Sequence, residues 1–332
     1  MTPGDNPPKH ITPLWKRIVW DVCWVWATTA IVVAAARVFA HDGQQLLIWA
    51  NSFSLYLYLP AALVLPIAIW RSRRRLALVS ALLLLAQVVW VWPDVFPAQT
   101  PPATENALEL RVFSANLFAR NTSPEGLLAE IDAVDADIVL LQEFSPLWHR
   151  AISDSGLLEE YPHQELRIRE DSFGAAILSK HPLLNPSASM VGEIPIISVT
   201  IQLQTSTIRI FNWHPLPPGS RDYVTIWNEQ YEFLCQRLSE ESGPVLLVGD
   251  FNATQHARWM KRLLRAGYSS AHIQTGRGYA VTFPNGTSLM PPIRIDHALM
   301  SDHFWCRSIR EGIGRGSDHK PLIVDLLLFE SK

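Results

Sequence analysis

The sequence predicts an α/β fold in which two packed β-sheets are flanked by helices and preceded by three transmembrane helices. Three observations lead to this prediction. Long apolar runs dominate the first part of the 332-residue chain, short apolar segments alternate with helical patterns in the rest, and polar residues recur where those segments end. Many strands with few helices and short connections favour two sheets that pack together under a cover of helices.

The charge distribution separates the same two parts of the chain. Residues 1–100 hold 8 Lys/Arg and 4 Asp/Glu, whereas residues 101–332 hold 20 and 27, so the net charge of −3 combines +4 and −7. An acidic C-terminal part disfavours sequence-independent binding of duplex nucleic acid, which depends on many Lys and Arg contacts to phosphates.

Three apolar runs fill the first part: Ile18–Ala40, Leu46–Trp70 and Leu76–Phe96. Each is long enough for a helix that crosses a hydrocarbon layer, which needs about 20 residues. A buried helical hairpin in a soluble core is the alternative, but three such runs in succession exceed the length of ordinary core helices. We therefore expect a three-helix membrane anchor over residues 18–96.

Basic residues predict the orientation of this anchor. They cluster before the first run and between the second and third, and the short loop 41–45 has none. By the positive-inside rule, residues 1–17 and the RSRRR loop are cytoplasmic, and the C-terminal domain lies outside the cytoplasm, anchored to the cell membrane. The residues concerned are Lys9, Lys16, Arg17, Arg71, Arg73, Arg74 and Arg75.

The first run has an alternative interpretation as a cleaved signal peptide. Lys16 and Arg17 precede it, and the sequence Val38-Phe39-Ala40 resembles a small-residue cleavage site, although the apolar region is long for a signal peptide. Cleavage would leave the new N-terminus outside, and two further spans would return the chain there. The predicted location of the C-terminal domain is the same in both cases.

A proline-rich segment separates the anchor from the C-terminal domain. Prolines 93, 97, 101 and 102 lie among small polar residues between Pro93 and Glu105, a composition that gives an extended, semi-rigid tether. We place the linker at residues 97–107 and the C-terminal domain at residues 108–332.

Strand and helix patterns alternate along the C-terminal domain. Apolar residues three and four apart predict helices that begin near Ser123, cover Val224–Leu238 and lie near residues 256–266. Short apolar segments bounded by polar residues predict strands at Leu110–Phe113, Asp137–Gln142, Phe173–Ser179, Ile196–Leu203, Thr207–His214, Val245–Val248, Arg294–Met300, Trp305–Glu311 and Leu322–Phe329.

The segment VLLVGDFNA, residues 245–253, is the first indication of chemistry. Asp250 and Asn252 are two residues apart, so on an extended chain they face the same side while Phe251 packs behind them. A carboxylate can orient or deprotonate a water, and a carboxamide can donate a hydrogen bond to an oxygen that gains charge. A strand end followed by an Asx turn is the alternative explanation.

Polar residues recur at the ends of other predicted strands. The ordered motifs are SANL, LQE, GAAILS, NWHP, GDFNA, RIDHAL and GSDHKPL. Over about residues 108–330 this series resembles the endonuclease/exonuclease/phosphatase superfamily of metal-dependent phosphoesterases, in a membrane-anchored member of the bacterial type. One motif alone would be weak evidence, but the order and strand context of the whole series are specific.

The resemblance implies a four-layer α/β sandwich with the active site at one edge of two facing sheets. It implies Glu143 as the main metal ligand, with Asn116 and Asp318 completing or supporting the site. The implied cofactor is Mg²⁺ or Mn²⁺, because oxygen ligands from carboxylate, amide and water suit these ions better than zinc.

The resemblance also implies the catalytic residues. Asp250 would orient the attacking water, and Asn252 would contact the transition-state oxygen. His319, oriented by Asp296, would hydrogen-bond the phosphate, and His214 would be the second histidine at the phosphate or the leaving group. Histidines can donate protons or hydrogen bonds near neutral pH, which agrees with these assignments.

Two residues near the motifs depart from the pattern. Phe118 stands two positions after Asn116, where some relatives of the superfamily carry a second acidic residue, so a second metal ligand is not expected there. His297 follows Asp296 but should point to the opposite face of its strand, and we interpret it as structural.

Four basic residues follow the GDFNA motif at helical spacing: Arg258, Lys261, Arg262 and Arg265. They should lie along one face of the next helix. A solvated helix face is the ordinary explanation of such a pattern. The functional alternative is a substrate-binding face directed at an anionic membrane surface.

The predicted function is a membrane-anchored, divalent-metal-dependent phosphoesterase that acts outside the cytoplasm by direct attack of water. The leading substrate is a lipid-linked phosphate or pyrophosphate. An extracytoplasmic nuclease is the enzymatic alternative, and a catalytically silent membrane scaffold is the alternative of another class, disfavoured by the presence of every matched polar residue. The expected partners are the bilayer and a phosphate ester, with nucleic acid as the alternative substrate and no protein partner.

Overall fold

The computed structural model describes residues 13–40, 42–96, 107–204 and 206–329. The chain divides into two compact units. The small unit comprises the residues up to 41 together with Ser54–Val88, and the large unit comprises Asp42–Phe53 together with the residues from Val89 onward. Residues 42–53, which the sequence assigns to the anchor, therefore belong to the large unit.

Apolar helices make up the N-terminal part of the described chain. Two stretches, Leu14–Phe39 and Arg74–Val95, are apolar and long enough to cross a membrane, and a third qualifies only if the bent pair Gln45–Ser52 and Ser54–Trp70 is one span. The helices are α1 (Leu14–Ala35), continued by π-helical Ala36–Ala40, then α2 (Gln45–Ser52), α3 (Ser54–Tyr58), α4 (Ala61–Trp70) and α5 (Arg74–Val95).

The second predicted span, Leu46–Trp70, is not one continuous helix. It is interrupted at Phe53 and again before Ala61. Pro60 explains the second interruption, because proline lacks the N–H that would continue the helix. The count of three continuous spans is therefore replaced by two helices and one bent pair.

The predicted linker and cytoplasmic N-terminus fall mostly outside the described residues. Residues 1–12 and 97–106 are not described. Pro93, where the proline-rich composition begins, lies inside α5, which continues to Val95. The domain bounds at residues 96 and 108 remain predictions.

The large unit contains two six-stranded sheets within the described residues. The first sheet has the order β11-β12-β1-β2-β4-β3, and the second has the order β5-β6-β7-β8-β10-β9. The strands are β1 (Leu108–Asn116), β2 (Ile138–Gln142), β3 (His163–Arg167), β4 (Ala175–Ser179), β5 (Leu183–Val191), β6 (Ile194–Leu203), β7 (Ser206–Trp213), β8 (Val245–Asp250), β9 (Ser269–Ser270), β10 (Asp296–Met300), β11 (Phe304–Glu311) and β12 (Leu322–Leu328).

Helices cover the outer faces of both sheets. Two of them begin at serine N-caps: the Ser145 hydroxyl accepts a hydrogen bond from the Trp148 N–H, and the Ser220 hydroxyl accepts one from the Tyr223 N–H. The helices are α6 (Glu125–Val134), α7 (Pro146–Asp154), α8 (Leu157–Glu160), α9 (Arg221–Glu240), α10 (Arg258–Arg265) and α11 (Ala271–Thr275).

Aliphatic side chains fill the space between the two sheets. Val112 and Leu140 from the first sheet and Leu246 and Val248 from the second are all fully buried there. A second apolar layer packs α6 and α7 on the first sheet, and a third packs α9 and α10 on the second sheet. The layers helix, sheet, sheet and helix confirm the predicted α/β sandwich.

Strand pairing brings several strand ends to the same edge. β1 and β2 are parallel, with Asn116 opposite Gln142, and β7 and β8 are parallel, with Trp213 opposite Gly249. β10 is antiparallel to β8, so its first residue, Asp296, lies opposite the last residue of β8. Residues that follow β1, β2, β7 and β8 can therefore meet.

Candidate active site

Every predicted catalytic or metal-binding side chain comes from this edge or from the loop before β12. Asn116 and Asp250 end their strands, Asp296 begins β10, and Glu143 and His214 directly follow β2 and β7. Asn252, Asp318 and His319 come from the loops after β8 and before β12. The sheets thus position residues that are far apart in sequence.

Gly249 is required for the approach of β8 to β7. Its φ is +144°, a conformation that L side chains rarely adopt, and an added Cβ would lie 2.2 Å from the carbonyl oxygen of Trp213. A side chain here would push β8 away from β7. The glycine of the GDFNA motif therefore fixes the position of Asp250, which directly follows it.

Asp250 lies at the centre of the site and is only 2% exposed. Its Oδ1 accepts a hydrogen bond from the Asn252 N–H at 2.8 Å, and its Oδ2 lies 3.2 Å from Asn116 Nδ2. The same Oδ2 is 3.6 Å from His214 Nε2 and 3.7 Å from His319 Nε2. Burial raises the pKa of the Asp250 carboxyl, and the His319 charge opposes this shift.

His319 is held between two carboxylates. Its Nδ1 lies 2.9 Å from Asp296 Oδ2, and its Nε2 faces Asp250. Burial lowers the pKa of His319, but the charges of Asp296 and Asp250 and the hydrogen bond to Asp296 outweigh burial and raise the pKa to about 10. His319 is therefore an imidazolium near neutral pH and can donate a hydrogen bond to an anion.

Glu143 adopts a left-handed backbone conformation, with φ at +58°. For a residue with a side chain this conformation costs roughly 1 kcal/mol, so the surroundings must hold it. The Ala119 N–H donates a hydrogen bond to Glu143 Oε2 at 2.7 Å. Strain of this kind is concentrated at functional positions in proteins.

Asn116 connects the two carboxylates. Its Nδ2 donates hydrogen bonds to Glu143 Oε1 at 3.3 Å and to Asp250 Oδ2 at 3.2 Å, and its Oδ1 accepts one from the Phe118 N–H. In this arrangement Asn116 positions Glu143 and Asp250 and does not present its own oxygen toward them. Its role at a metal, completing or supporting the site, stays a prediction.

Two further polar groups are available for a substrate. His214 packs its ring against Phe173, and its buried Nδ1 has no hydrogen-bond partner within the described residues. Asn252 Nδ2 donates to the Pro215 carbonyl at 2.9 Å, and a primary amide has a second N–H that can donate elsewhere. Both side chains line the same cleft as Glu143.

The cleft above the site has a volume of about 1060 Å³. Asn116 and Asp296 are not among the residues that line it and lie behind the lining. The polar lining residues at the site are Glu143, His214, Asp250, Asn252, Asp318 and His319.

The donor set at one end of the cleft fits a divalent cation. Burial raises the pKa of Asp318, and the nearby Glu143 carboxylate raises it further while His319 opposes the shift. A divalent cation would relieve this excess of negative charge, and oxygen donors suit Mg²⁺ or Mn²⁺. The residues present therefore fit the metal that the sequence implies, at Glu143 and Asp318.

A second group of potential ligand atoms is formed by Asp250, Asp296 and His319, whose atoms lie within 4.8 Å of one another. The charges of the two carboxylates raise the pKa of His319, so in this arrangement His319 carries a proton between them.

The four basic residues of α10 do not line the cleft within the described residues. Arg258 Nη2 donates to Asn228 Oδ1 at 2.8 Å, and Arg262 forms an ion pair with Glu232 at 2.6 Å. The helical stripe exists as predicted, but two of its members contact α9. Arg258, Lys261, Arg262 and Arg265 therefore lie outside the cleft lining, and their binding to an anionic membrane surface stays a prediction.

Two residues near the motifs take structural positions. His297 is fully buried, and its Nε2 lies 2.9 Å from the Ala253 carbonyl oxygen. Burial lowers the pKa of His297 well below its ordinary value, so it is neutral. Phe118 presents no ligand atom next to Asn116.

Sequence motifs did not indicate several lining residues. Arg120, Asp171 and Phe173 come from the loops after β1 and before β4, and Trp49 comes from α2. Arg120 follows the SANL motif by three residues, which was the only signal for it. The sequence could not assign the α2 residues to the cleft, because their apolar composition is typical of a membrane span.

A profile described as the Endonuclease/Exonuclease/phosphatase family matches residues 113–319 of the chain. This match spans the strands and loops that deliver all eight site residues. The chain belongs to this family. Members are metal-dependent phosphodiesterases, nucleases and phosphatases, so the protein is a phosphoric ester hydrolase. Comparison of the sequence with curated proteins finds no match.

Solved structures share the fold. An endonuclease/exonuclease/phosphatase from Beutenbergia cavernae DSM 12333 has a TM-score of 0.53 at 17% identity, covering 67% of this chain and 72% of that chain. One from Bacteroides vulgatus has a TM-score of 0.52 at 17% identity, covering 67% and 99%. TDP2 from D. rerio, complexed with a single-strand DNA product, has a TM-score of 0.55 at 15% identity, covering 66% and 98%.

Proposed function

We propose that this member of the endonuclease/exonuclease/phosphatase family is membrane-anchored and hydrolyses a phosphate ester outside the cytoplasm by direct attack of water. The observation that carries the proposal is the meeting of Asp250 with Asn116, His214 and His319 beside the Glu143 carboxylate. A general base, hydrogen-bond donors and a carboxylate ligand are the parts that such a hydrolysis needs.

Asp250 orients the attacking water. Its Oδ1 is occupied by the Asn252 N–H, and its Oδ2 faces the polar groups of the cleft. A water that donates to this oxygen is held in place by a fixed carboxylate and loses its proton toward it. Burial raises the pKa of Asp250, which makes it a stronger base than an exposed aspartate.

His319 and His214 serve the phosphate and the leaving group. His319 carries a proton that Asp296 orients, and it donates a hydrogen bond to a phosphoryl oxygen. His214 and the second N–H of Asn252 are further donors in the cleft. A divalent cation bound by Glu143 and Asp318 would neutralise phosphate charge.

The membrane part of the proposal rests on composition. Leu14–Phe39 and Arg74–Val95 are long and apolar enough to span a bilayer, with only 17% and 28% of their most apolar windows buried. Helices that expose so much apolar surface need a partner other than water. A lipid phosphate or pyrophosphate is therefore the leading substrate class, and a nuclease is the alternative.

Phosphatase and diesterase assays on the purified full-length chain test the proposal. We expect p-nitrophenyl phosphate or bis(p-nitrophenyl) phosphate to be hydrolysed with Mg²⁺ and not with EDTA. Glu143→Gln should lower the rate at least about 100-fold while thermal melting shows a folded protein, because the metal loses a charged ligand. Glu170→Gln, which changes an exposed carboxylate at the same cleft, is the matched control.

Full activity of Glu143→Gln with Mg²⁺ would remove Glu143 from the metal site. Inactivity of the wild-type protein on both esters under all metal conditions would favour the scaffold alternative.

A further inference from the structure

Helix α2 is built into the large unit by a buried polar network. Asp42 and Asn51 are only 3% and 4% exposed. Asn51 Nδ2 donates hydrogen bonds to Asp42 Oδ2 at 3.1 Å and to the His256 carbonyl at 2.8 Å, and Asp42 Oδ1 accepts one from the Arg258 N–H at 2.9 Å. Asp42 thereby satisfies a free N–H at the start of α10. Buried polar groups paired in this way specify one docked position.

Apolar contacts fix the same helix. Ile48 is 3% exposed and belongs to the core cluster that contains Trp227 and Trp259. The Trp49 indole N–H donates to the Pro218 carbonyl at 3.2 Å. α2 is therefore part of the enzyme fold, although its sequence resembles a membrane span.

This docking makes α2, together with Phe53 that follows it, one wall of the cleft, called here the α2 wall. Ile48, Trp49, Ser52 and Phe53 line the same cleft as Glu143 and the other site residues. Trp49 remains 45% exposed. Other apolar residues that line the cleft include Leu216, Pro217, Pro218, Met290, Pro291 and Ile293.

The charges of the cleft select against a polyanion. Among the described lining residues, Arg120 and the protonated His319 are cationic, whereas five are carboxylates: Glu143, Glu170, Asp171, Asp250 and Asp318. Nucleic acid binding relies on several cationic contacts to successive phosphates. A ligand with a single phosphate group and an uncharged apolar remainder fits this lining better.

The size of the cleft also favours a ligand that carries an apolar group in addition to a phosphate. Its volume of about 1060 Å³ is comparable to that of sites for whole small-molecule ligands, so a phosphate group alone would leave most of it empty. Phe53 is joined directly to Ser54, the first residue of α3 in the apolar N-terminal part. The apolar wall is therefore continuous in sequence with the apolar helices α3 and α4.

We propose that the α2 wall of the cleft, with Trp49 and Phe53 at its centre, binds the alkyl chain of a lipid phosphate ester whose phosphate lies at the Glu143 end. This inference rests on the proposed phosphoesterase function and adds the subsite that selects the substrate. Removing one methylene from water contributes about a fourfold gain in affinity, so several buried methylenes should raise kcat/KM strongly.

Two short ester series test the subsite with the full-length chain in phosphatidylcholine nanodiscs. The diesters are methyl and octyl p-nitrophenyl phosphate, followed by nitrophenolate release, and the monoesters are methyl and octyl phosphate, followed by phosphate release. All are used below their micellar concentrations. For the bond type that is cleaved, we expect kcat/KM to be at least about 30-fold higher for the octyl ester.

A higher kcat/KM for the octyl ester could come from binding at the subsite or from partition of the ester into the nanodisc. Variants distinguish these two causes. Trp49→Gln and Phe53→Ser should each lower the octyl-to-methyl ratio of kcat/KM about tenfold. Leu46→Gln is the matched control, because Leu46 lies on the same helix, is 76% exposed and does not line the cleft. It should keep the wild-type ratio. Thermal melting verifies that each variant is folded. The same loss in both wall variants would show that the effect does not come from a local distortion at one position.

Each outcome is decisive for one proposal. Equal kcat/KM for the methyl and octyl esters, or the same ratio in Leu46→Gln as in the two wall variants, would overturn the apolar subsite while leaving phosphoester hydrolysis intact. Faster cleavage of a thymidine p-nitrophenyl phosphate, lost in Trp49→Gln, would instead show that the wall stacks a base. No cleavage of any ester would overturn the proposed function itself.

Discussion

At the scale of single residues, Asp250 and His319 belong to one buried polar network, but we expect them to act on different groups, the attacking water and the phosphate. Asp250 faces the water position, whereas His319 holds a proton between two carboxylates. Both groups act on the reacting atoms, so Asp250→Asn and His319→Ala should lower kcat at least about 100-fold and change KM much less. Steady-state kinetics on the better p-nitrophenyl ester provides the measurement.

Asp302→Asn is a suitable control for these two variants. Asp302 also lies beside a histidine, His303, at 3.2 Å, but its side chain is 91% exposed and lies outside the cleft. It should leave both kinetic constants unchanged. A rise in KM alone in Asp250→Asn or His319→Ala would make that residue a binding contact and not a participant in the chemical step.

His272 predicts a pH dependence of stability. It is fully buried, its Nε2 lies 3.2 Å from Glu311 Oε1, and burial and the Arg294 charge lower its pKa to about 4 although Glu311 opposes the shift. In the unfolded chain its pKa is about 6.5. Between these values the unfolded state binds a proton that the native state does not, so stability present above pH 6.5 is lost as pH falls toward 4.

The expected size of this effect is about 2 kcal/mol between pH 7 and pH 5, measured by thermal or denaturant unfolding. His272→Gln should show a smaller difference between the two pH values. It should not abolish the difference, because His297 is also buried and neutral and contributes with the same sign. Glu311 adds little to the difference in stability between pH 7 and pH 5, because its pKa is lowered and it becomes protonated below this pH range. An identical pH difference in the variant would contradict a lowered pKa of His272 in the folded protein.

The positions of the site residues could be predicted from the sequence, but their contacts could not. A polar residue after a buried apolar segment identifies a strand end, and Asn116, Glu143, His214 and Asp250 follow this rule. The Phe118 N–H donates a hydrogen bond to Asn116 Oδ1, which leaves Nδ2 facing the carboxylates. This hydrogen bond depends on the positive φ of Phe118 in the loop. Sequence spacing contains no information on such a contact.

At the scale of secondary-structure elements, a strong apolar periodicity was sufficient to predict an element from the sequence, and a weak periodicity was not. α9 is predicted by apolar residues three and four apart and extends from Arg221 to Glu240. β5 is not predicted, because Pro186 and a left-handed Asn185 interrupt its pattern, and the pairing with β6 shifts register there. It lies at the edge of its sheet, where proline is tolerated.

α2 shows where apolar composition misleads. Its residues are apolar enough to complete a span, yet Asp42 and Asn51 at its ends find buried partners in the loop before α10 and at its start. Tertiary hydrogen bonds of this kind are invisible to hydropathy, which sums residues without regard to partners. The same limitation left the apolar wall of the cleft out of the sequence prediction.

The last turn of α5 makes a buried ion pair with the strand region that precedes Asp296. Arg294 Nη2 lies 2.9 Å from Asp94 Oδ1, and the two side chains are 1% and 4% exposed. Asp94→Asn would leave the guanidinium buried without its counter-charge, which costs about 3 kcal/mol or more. We expect a lower melting temperature of the large unit.

Asp171→Asn provides the matched comparison, because it breaks an ion pair of similar length with Arg169 that is partly exposed to solvent. Such a pair contributes about 1 kcal/mol or less. Equal losses of stability in Asp94→Asn and Asp171→Asn would show that the buried pair does not hold the end of α5 to the large unit.

At the scale of the whole molecule, the charge asymmetry and the apolar helices predict a topology. Six of the seven basic residues at the predicted cytoplasmic ends lie in the described chain, and all six belong to the small unit. By the positive-inside rule we expect a cytoplasmic N-terminus, and we expect the acidic C-terminal domain outside if Ser54–Trp70 crosses the bilayer in addition to Leu14–Phe39 and Arg74–Val95. The substrate proposal depends on this orientation, since it determines which leaflet presents the phosphate.

Protease protection with two epitope tags tests the orientation directly. Protease added to intact cells, or to spheroplasts if an outer membrane is present, should remove a C-terminal tag and spare an N-terminal tag until the membrane is lysed. Replacing Arg71, Arg73, Arg74 and Arg75 with Gln removes most of the predicted orientation signal, so this variant should give a mixture of protected and digested C-terminal tags. Protection of the C-terminal tag in the wild-type protein would place the large unit in the cytoplasm and limit its substrates to phosphate esters on that side of the membrane.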